Sequence, residues 1–213
     1  MSVKKRYLST GSTIIVILVL LVIMGRVVQK KTSVTQLEGI KTKGPQNAPV
    51  HLVVYSDFQC PACAKAREPI EALEKEFGQV LQIEYRHYPL ERVHRWAILA
   101  ALFAECAAEQ GKFWQFHDRL FEDQRLWSGS TDAASPFSEY ASELGLDLRA
   151  LEHCLANPRT VERIKKDAAS GKAQHVSSTP TIFLNDRMVV GAKQLGEQGK
   201  TIIMEELKKV GRK

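Results

Sequence analysis

Residues 60–63 read Cys-Pro-Ala-Cys, and the two other cysteines, Cys106 and Cys154, stand singly. Two cysteines three positions apart at a helix start can close a small intramolecular disulfide. With Cys60 at the helix N-terminus, unpaired backbone N–H groups and the helix dipole stabilise its thiolate. A lowered pKa makes that sulfur a usable nucleophile and a good leaving group. Cys63, one turn further in and less exposed, then serves as the resolving thiol. Pro61 in the first turn needs no N–H and presets φ, and Ala62 completes the dipeptide. Zinc ribbons also use Cys-x-x-Cys, but they need a second pair of similar spacing, and Cys106 and Cys154 do not supply one. The six histidines (His51, His87, His94, His117, His153 and His175) show no metal-ligand spacing with the cysteines. No metal and no cofactor is expected.

A second candidate feature is Thr179-Pro180, which opens the apolar run Thr181-Ile-Phe-Leu184. A proline there is either a plain strand-start residue or a cis peptide. The strand, hairpin and terminal helix that follow favour the cis form.

The elements that must hold these residues are legible from periodicity. Residues 50–55 (VHLVVY) form a buried strand, and residues 80–88 alternate as a second. Between them a helix runs from the cysteine pair through Ile70, Leu73 and Phe77, with a kink at Pro69 and a stop at Gly78. Helical patterns cover 96–107, 111–121, 136–144, 148–155 and 158–175, with Asp147 as a cap of the fourth. Trp96, Phe113 and Trp114 stand at helical spacing as packing aromatics. Strands at 181–184 and 187–190 flank a tight Asn185-Asp186 turn, and a helix over 194–210 closes the chain. The order predicts a mixed α/β sheet with an all-helical insertion at about 94–175.

Composition narrows the function classes. The 213 residues are 44% hydrophobic and 25% charged, which excludes wholesale disorder. The net charge of +6 is unevenly placed: residues 1–43 hold eight Lys/Arg and one acid, and residues 44–213 hold 22 basic and 23 acidic residues. The folded part is nearly neutral, so a nucleic-acid partner is not expected. Residues 7–25 carry no charge and follow Lys4-Lys5-Arg6. An apolar run of about 20 residues spans a bilayer, and Gly25 is the only small residue offered to a signal peptidase at its end. This predicts an uncleaved signal anchor over 1–28 (transmembrane about 8–25), a polar linker over 29–47, and one domain over 48–213. Basic residues flank the apolar core almost symmetrically, so they do not orient it.

Three motifs, SDFQCPAC after a strand, AECAAEQGKFWQFHDRLF in the helical block and TPTIFLNDRMVVGA near the end, resemble the DsbA-type thiol–disulfide oxidoreductases. The resemblance covers about residue 44 to the C-terminus. It implies a thioredoxin-like fold with a helical insertion, Cys60 as attacking and Cys63 as resolving cysteine, and Pro180 as a cis-proline facing them. Thr179 then lies in a loop that offers backbone to an extended client, as strand addition does. Two departures stand out. Many relatives carry a buried acid six residues before the first cysteine, where this chain has Val54, and water or Glu84 are the stand-ins left open. The dipeptide Pro-Ala lacks the His of strongly oxidising members, which predicts a less oxidising couple. With Cys60 and Cys63 paired, Cys106 and Cys154 remain either as a structural disulfide or as two buried thiols; exported chains rarely leave thiols free. The expected function is disulfide exchange with unfolded or reduced client proteins, introducing disulfides and recharged by a quinone-linked membrane partner. The expected location is the bacterial cytoplasmic (inner) membrane, single-pass, with the domain on the periplasmic or extracellular side. The alternatives are a disulfide reductase or isomerase, and a non-catalytic dithiol chaperone for metal or assembly.

Overall fold

The computed structural model describes residues 41–211, together with helical positions Ile15, Ile17, Val19 and Leu20. Apart from those four positions, the expected anchor lies outside the described residues. Among these, no helix is long and apolar enough to cross a membrane. The chain divides into two units, Met1–Gly39 and Ile40–Lys213, and the second carries all four cysteines.

Its sheet is built on β2 (Val50–Ser56), which the apolar run predicts. The strands are β1 (Thr42–Lys43), β2, β3 (Leu81–His87), β4 (Thr181–Leu184) and β5 (Arg187–Val190), in the spatial order β1-β3-β2-β4-β5. β2 and β3 are parallel, with Val54 opposite Tyr85, and every other pairing is antiparallel. A parallel pair needs a crossover, supplied by helix α1 (Pro61–Phe77). β1 lies within the stretch read from sequence as linker, so the sheet begins before residue 48. Two polar residues are too short for an alternation signal, and pairing with β3 alone defines this strand.

Successive strand residues point to opposite faces. Val54 borders a cleft with Cys63 of α1, whereas the Tyr55 hydroxyl lies 3.0 Å from Ser170 Oγ on α7 (Pro158–Ala173). α7 approaches so closely that a Cβ on Gly171 would lie 2.8 Å from the Tyr88 ring. α8 (Gly191–Val210) packs on α1, where a Cβ on Gly199 would come within 2.9 Å of Leu73. α1 runs through Pro69 to Phe77. Gly78 ends it with φ −54°, so no left-handed cap is used.

The insertion comprises α2 (Ala97–Glu109), α3 (Phe113–Glu122), α4 (Gln124–Trp127), α5 (Ala134–Glu143), α6 (Leu148–Leu155) and α7. Asp147 caps α6 by accepting from the N–H groups of Arg149 and Ala150. α3 directs Phe113, Phe116, Leu120 and Phe121 into the core. α4, a single turn, has too few residues for a periodic signal. Cys106 of α2 and Cys154 of α6 form a disulfide across a 48-residue separation. The whole is the thioredoxin-like mixed sheet with inserted helices that the resemblance implies.

Candidate active site

β2 ends at Ser56 and delivers the turn 57–59 to Cys60, the N-cap of α1, with Pro61 in the first turn. The helix closes at once, for Cys63 N–H and Ala64 N–H both donate to the Cys60 carbonyl. Cys60 and Cys63 are free thiols, 7% and 3% exposed. Pro61 and Ala62, between them, face solvent. The Thr179–Pro180 peptide bond is cis, and Thr179 lies against Cys60, whose Sγ is 3.6 Å from the Thr179 carbonyl oxygen.

The two thiols are electrostatically unlike. The Cys60 pKa is lowered to about 5. The main cause is a hydrogen bond from the Cys63 thiol, which outweighs partial burial; Thr179 and the N–H groups of Cys63 and Ala62 add to it. The Thr179 carbonyl can accept only from the protonated thiol, so it pulls the other way. The Thr179 hydroxyl is buried, makes no other hydrogen bond among the described residues, and is the group there able to donate to a thiolate. Burial pushes the Cys63 thiol well up, and the Cys60 thiolate raises it further. The Cys63 thiol and the donors at the helix start thus stabilise the Cys60 thiolate without a His in the dipeptide.

A polar network fixes the turn. The buried Asp57 carboxylate accepts from Gln59 N–H (2.8 Å) and Leu90 N–H (2.8 Å), and pairs with His94 Nδ1 at 2.7 Å. Gln59 accepts from Trp96 N–H and donates to the Ser128 carbonyl. Gln124 of α4 donates to the carbonyls of Phe58 and Cys60. Asp57, Gln59, His94 and Gln124 were not singled out in the sequence. Asp57 and Gln59 flank the cysteine motif; His94 and Gln124 carry no local signal at all.

Elsewhere His87, Glu105 and Asp167 converge, although their sequence separations show no ligand spacing. Lys41 stands among them, bonded to Glu105 and, at 2.6 Å, to Asp167, while Arg163 reaches Glu105 at 2.7 Å. The cluster therefore already holds its own cations. Cys106 and Cys154 lie in the insertion as a pair, separate from Cys60 and Cys63.

A family model described as Thioredoxin matches residues 37–203. The chain is 40% identical over 147 residues to the Na(+)/H(+) antiporter NhaA 3 of Salinispora tropica, a match covering 68% of this chain and 21% of that protein. It spans about a fifth of the length of such curated relatives. Among solved structures, a thioredoxin-like oxidoreductase from Silicibacter pomeroyi superposes with a TM-score of 0.66 at 24% identity, covering 78% of this chain and 91% of that one. Wolbachia pipientis alpha-DsbA1 gives 0.70 at 19% identity, with 81% and 93% covered. The chain belongs to the thioredoxin family, and its fold is that of the DsbA-type thiol–disulfide oxidoreductases. The paired thiols at the start of α1 give this fold a site chemically able to exchange thiols and disulfides.

Proposed function

We propose that the protein is a membrane-anchored, extracytoplasmic thiol–disulfide oxidoreductase that introduces disulfides into client proteins, with Cys60 attacking and Cys63 resolving. The observation that carries this reading is the asymmetry of the pair: one thiol held as thiolate at a helix N-terminus, the other buried and protonated. A stabilised thiolate favours the reduced enzyme, so the oxidised enzyme is the readier donor of its disulfide. A client thiolate attacks Cys60 Sγ; the Cys60–client bond forms, and the Cys60–Cys63 bond breaks with its electron pair on Cys63, which gains a proton. A second client thiolate then attacks the client sulfur, and Cys60 leaves as thiolate. The client is oxidised by two electrons, and the reduced pair needs reoxidation, which we assign to a quinone-linked membrane partner.

The Thr179 carbonyl, 3.6 Å from Cys60 Sγ, offers backbone beside the cysteine pair to an extended client strand. Val93 and Leu126, 72% and 74% exposed, stand near Trp96 and Gln124, the residues that hold Gln59 and Cys60, and offer apolar contact to unfolded chains. The 7–25 run supports the anchor, and the joined cysteines 106 and 154 support an oxidising compartment. The test is the reduction potential of the Cys60/Cys63 couple against glutathione, with alkylation trapping of its state in cells. An oxidising potential and a mostly oxidised pair are expected. A mostly reduced pair would make the protein a reductase or isomerase. Stoichiometric copper or zinc binding without turnover would make it a dithiol chaperone.

A further inference from the structure

Resolution by Cys63 requires its buried thiol to lose a proton, and release from Cys63 requires the reverse. Asp57, whose backbone adjoins Cys63, cannot serve. Its backbone N–H, 3.4 Å from Cys63 Sγ, is what it turns to the thiol, and three donors already hold its carboxylate. Position 54 is valine. Glu84 is engaged by Arg86 at 2.6 Å and alternates with the buried Ile83 and Tyr85, so it faces away from them.

A cleft does reach Cys63. Its buried lining includes Ser56, Tyr85 and His117, and it continues to the half-exposed Asp118. The Tyr85 hydroxyl is buried, with the Ser56 side chain beside it but no hydrogen bond of good geometry among the described residues, a polar atom of the kind that water occupies. His117 packs edge-on to the Tyr85 ring at 5.2 Å. Its Nδ1 lies 2.8 Å from Asp118 Oδ1. A carboxylate only accepts, so Nδ1 carries the proton and Nε2 keeps its lone pair.

We propose that His117, oriented by Asp118, relays the Cys63 proton through this cleft. The inference deepens the proposed function and rests on Cys63 being the resolving thiol. When Cys63 attacks Cys60 of a mixed disulfide, its proton passes by cleft water to His117 Nε2 and on to solvent. The Cys63–Cys60 bond forms, and the client leaves with the electron pair. In the reverse step the imidazolium returns the proton. Burial lowers the His117 pKa, so the ring is neutral and ready to accept. The charged groups around the cleft are Lys43 of β1, Arg67, Glu71 and Glu74 of α1, and Asp118 itself. Lys43 and Arg67 oppose protonation of the ring, and Asp118 favours it. His117 does not touch the reacting sulfurs and acts as a positioning and relay residue.

The test loads the full-length protein with glutathione on Cys60 and follows glutathione release by Cys63 across pH. His117→Gln should slow release about 10²-fold in the neutral range and converge with the parent at high pH, where hydroxide removes the proton. Alkylation of Cys60 should keep its own pH profile. If His117→Gln fails to fold, Asp118→Asn at the half-exposed neighbour should show the same convergence with a smaller gap. An unchanged profile, or an equal slowing at every pH, overturns the relay while leaving the exchange reaction intact. Absence of release at any pH in the parent protein would remove Cys63 as resolving thiol, and the relay with it.

Discussion

The two cysteine pairs use one chemistry for opposite ends. Cys60 and Cys63 are three residues apart at a helix start, and one sulfur is held as a thiolate. Cys106 and Cys154 are 48 residues apart and join two helices that face one another, 0% and 5% exposed. Neither begins a helix, so neither receives unpaired N–H donors or the positive end of a dipole. Reactivity here follows from helix position and access. Sequence separation sets the thermodynamic side, because a longer loop loses more chain entropy when closed.

The largest effect that could break this contrast is on turnover. Cys60→Ala should abolish reduction of insulin disulfides, and Cys63→Ala should accumulate mixed disulfides on Cys60, visible on non-reducing gels. Cys106→Ala/Cys154→Ala should retain turnover per folded molecule. Full activity in Cys60→Ala would refute catalysis at this site.

Stability should respond the other way round. In the chain-entropy model a closed loop of this length contributes roughly 4 kcal/mol. Urea unfolding of Cys106→Ala/Cys154→Ala should show a loss approaching that value. Reducing Cys60–Cys63 in the parent protein should cost no stability, since the thiolate favours the reduced fold. A double variant as stable as its parent would mean that the second pair is not a brace.

These roles were legible to different degrees. Cys60 and Cys63 stood out because both residue type and spacing are local. The chain order of β2 to β5 followed from their apolar runs, whereas their spatial order is set by long-range pairing. β1 and α4 were invisible because two and four residues carry no period. The clamp on the turn was hidden for another reason. His94 and Gln124 approach Asp57 and Cys60 only after β3 and α3 have packed. The Lys41 cluster likewise draws on β3, α2 and α7.

That cluster gives α2 a second, ionic brace directly beside the covalent one, since Glu105 precedes Cys106. Burial raises the Glu105 pKa, but His87 and Lys41 outweigh it and hold the carboxylate well below its ordinary value of 4.5. A depressed pKa contributes stability that is fully present above the unfolded value and lost as pH falls toward the folded one. Glu105→Gln should therefore cost about 3 kcal/mol at neutral pH, because it leaves buried cations uncompensated. The gap from the parent should narrow below about pH 4.5 as unfolding takes up a proton. The disulfide's contribution should show no such dependence. Chevron or urea titrations at several pH values separate the two braces, and a pH-independent gap would remove the ionic one.

The smallest expected effect is the most specific to the reactive pair. The pH midpoint for Cys60 alkylation should lie at about 5. The leading cause is the hydrogen bond from the Cys63 thiol, ahead of Thr179 and the backbone donors. Cys63→Ala removes that donor but keeps the helix start, so the midpoint should rise toward the ordinary thiol value without reaching it. Thr179→Val removes a lesser donor and should move it less in the same direction. If Cys63→Ala leaves the midpoint at about 5, the helix terminus alone sustains the thiolate, and the resolving thiol contributes only its sulfur. In that case the difference between the two cysteine pairs reduces to helix position.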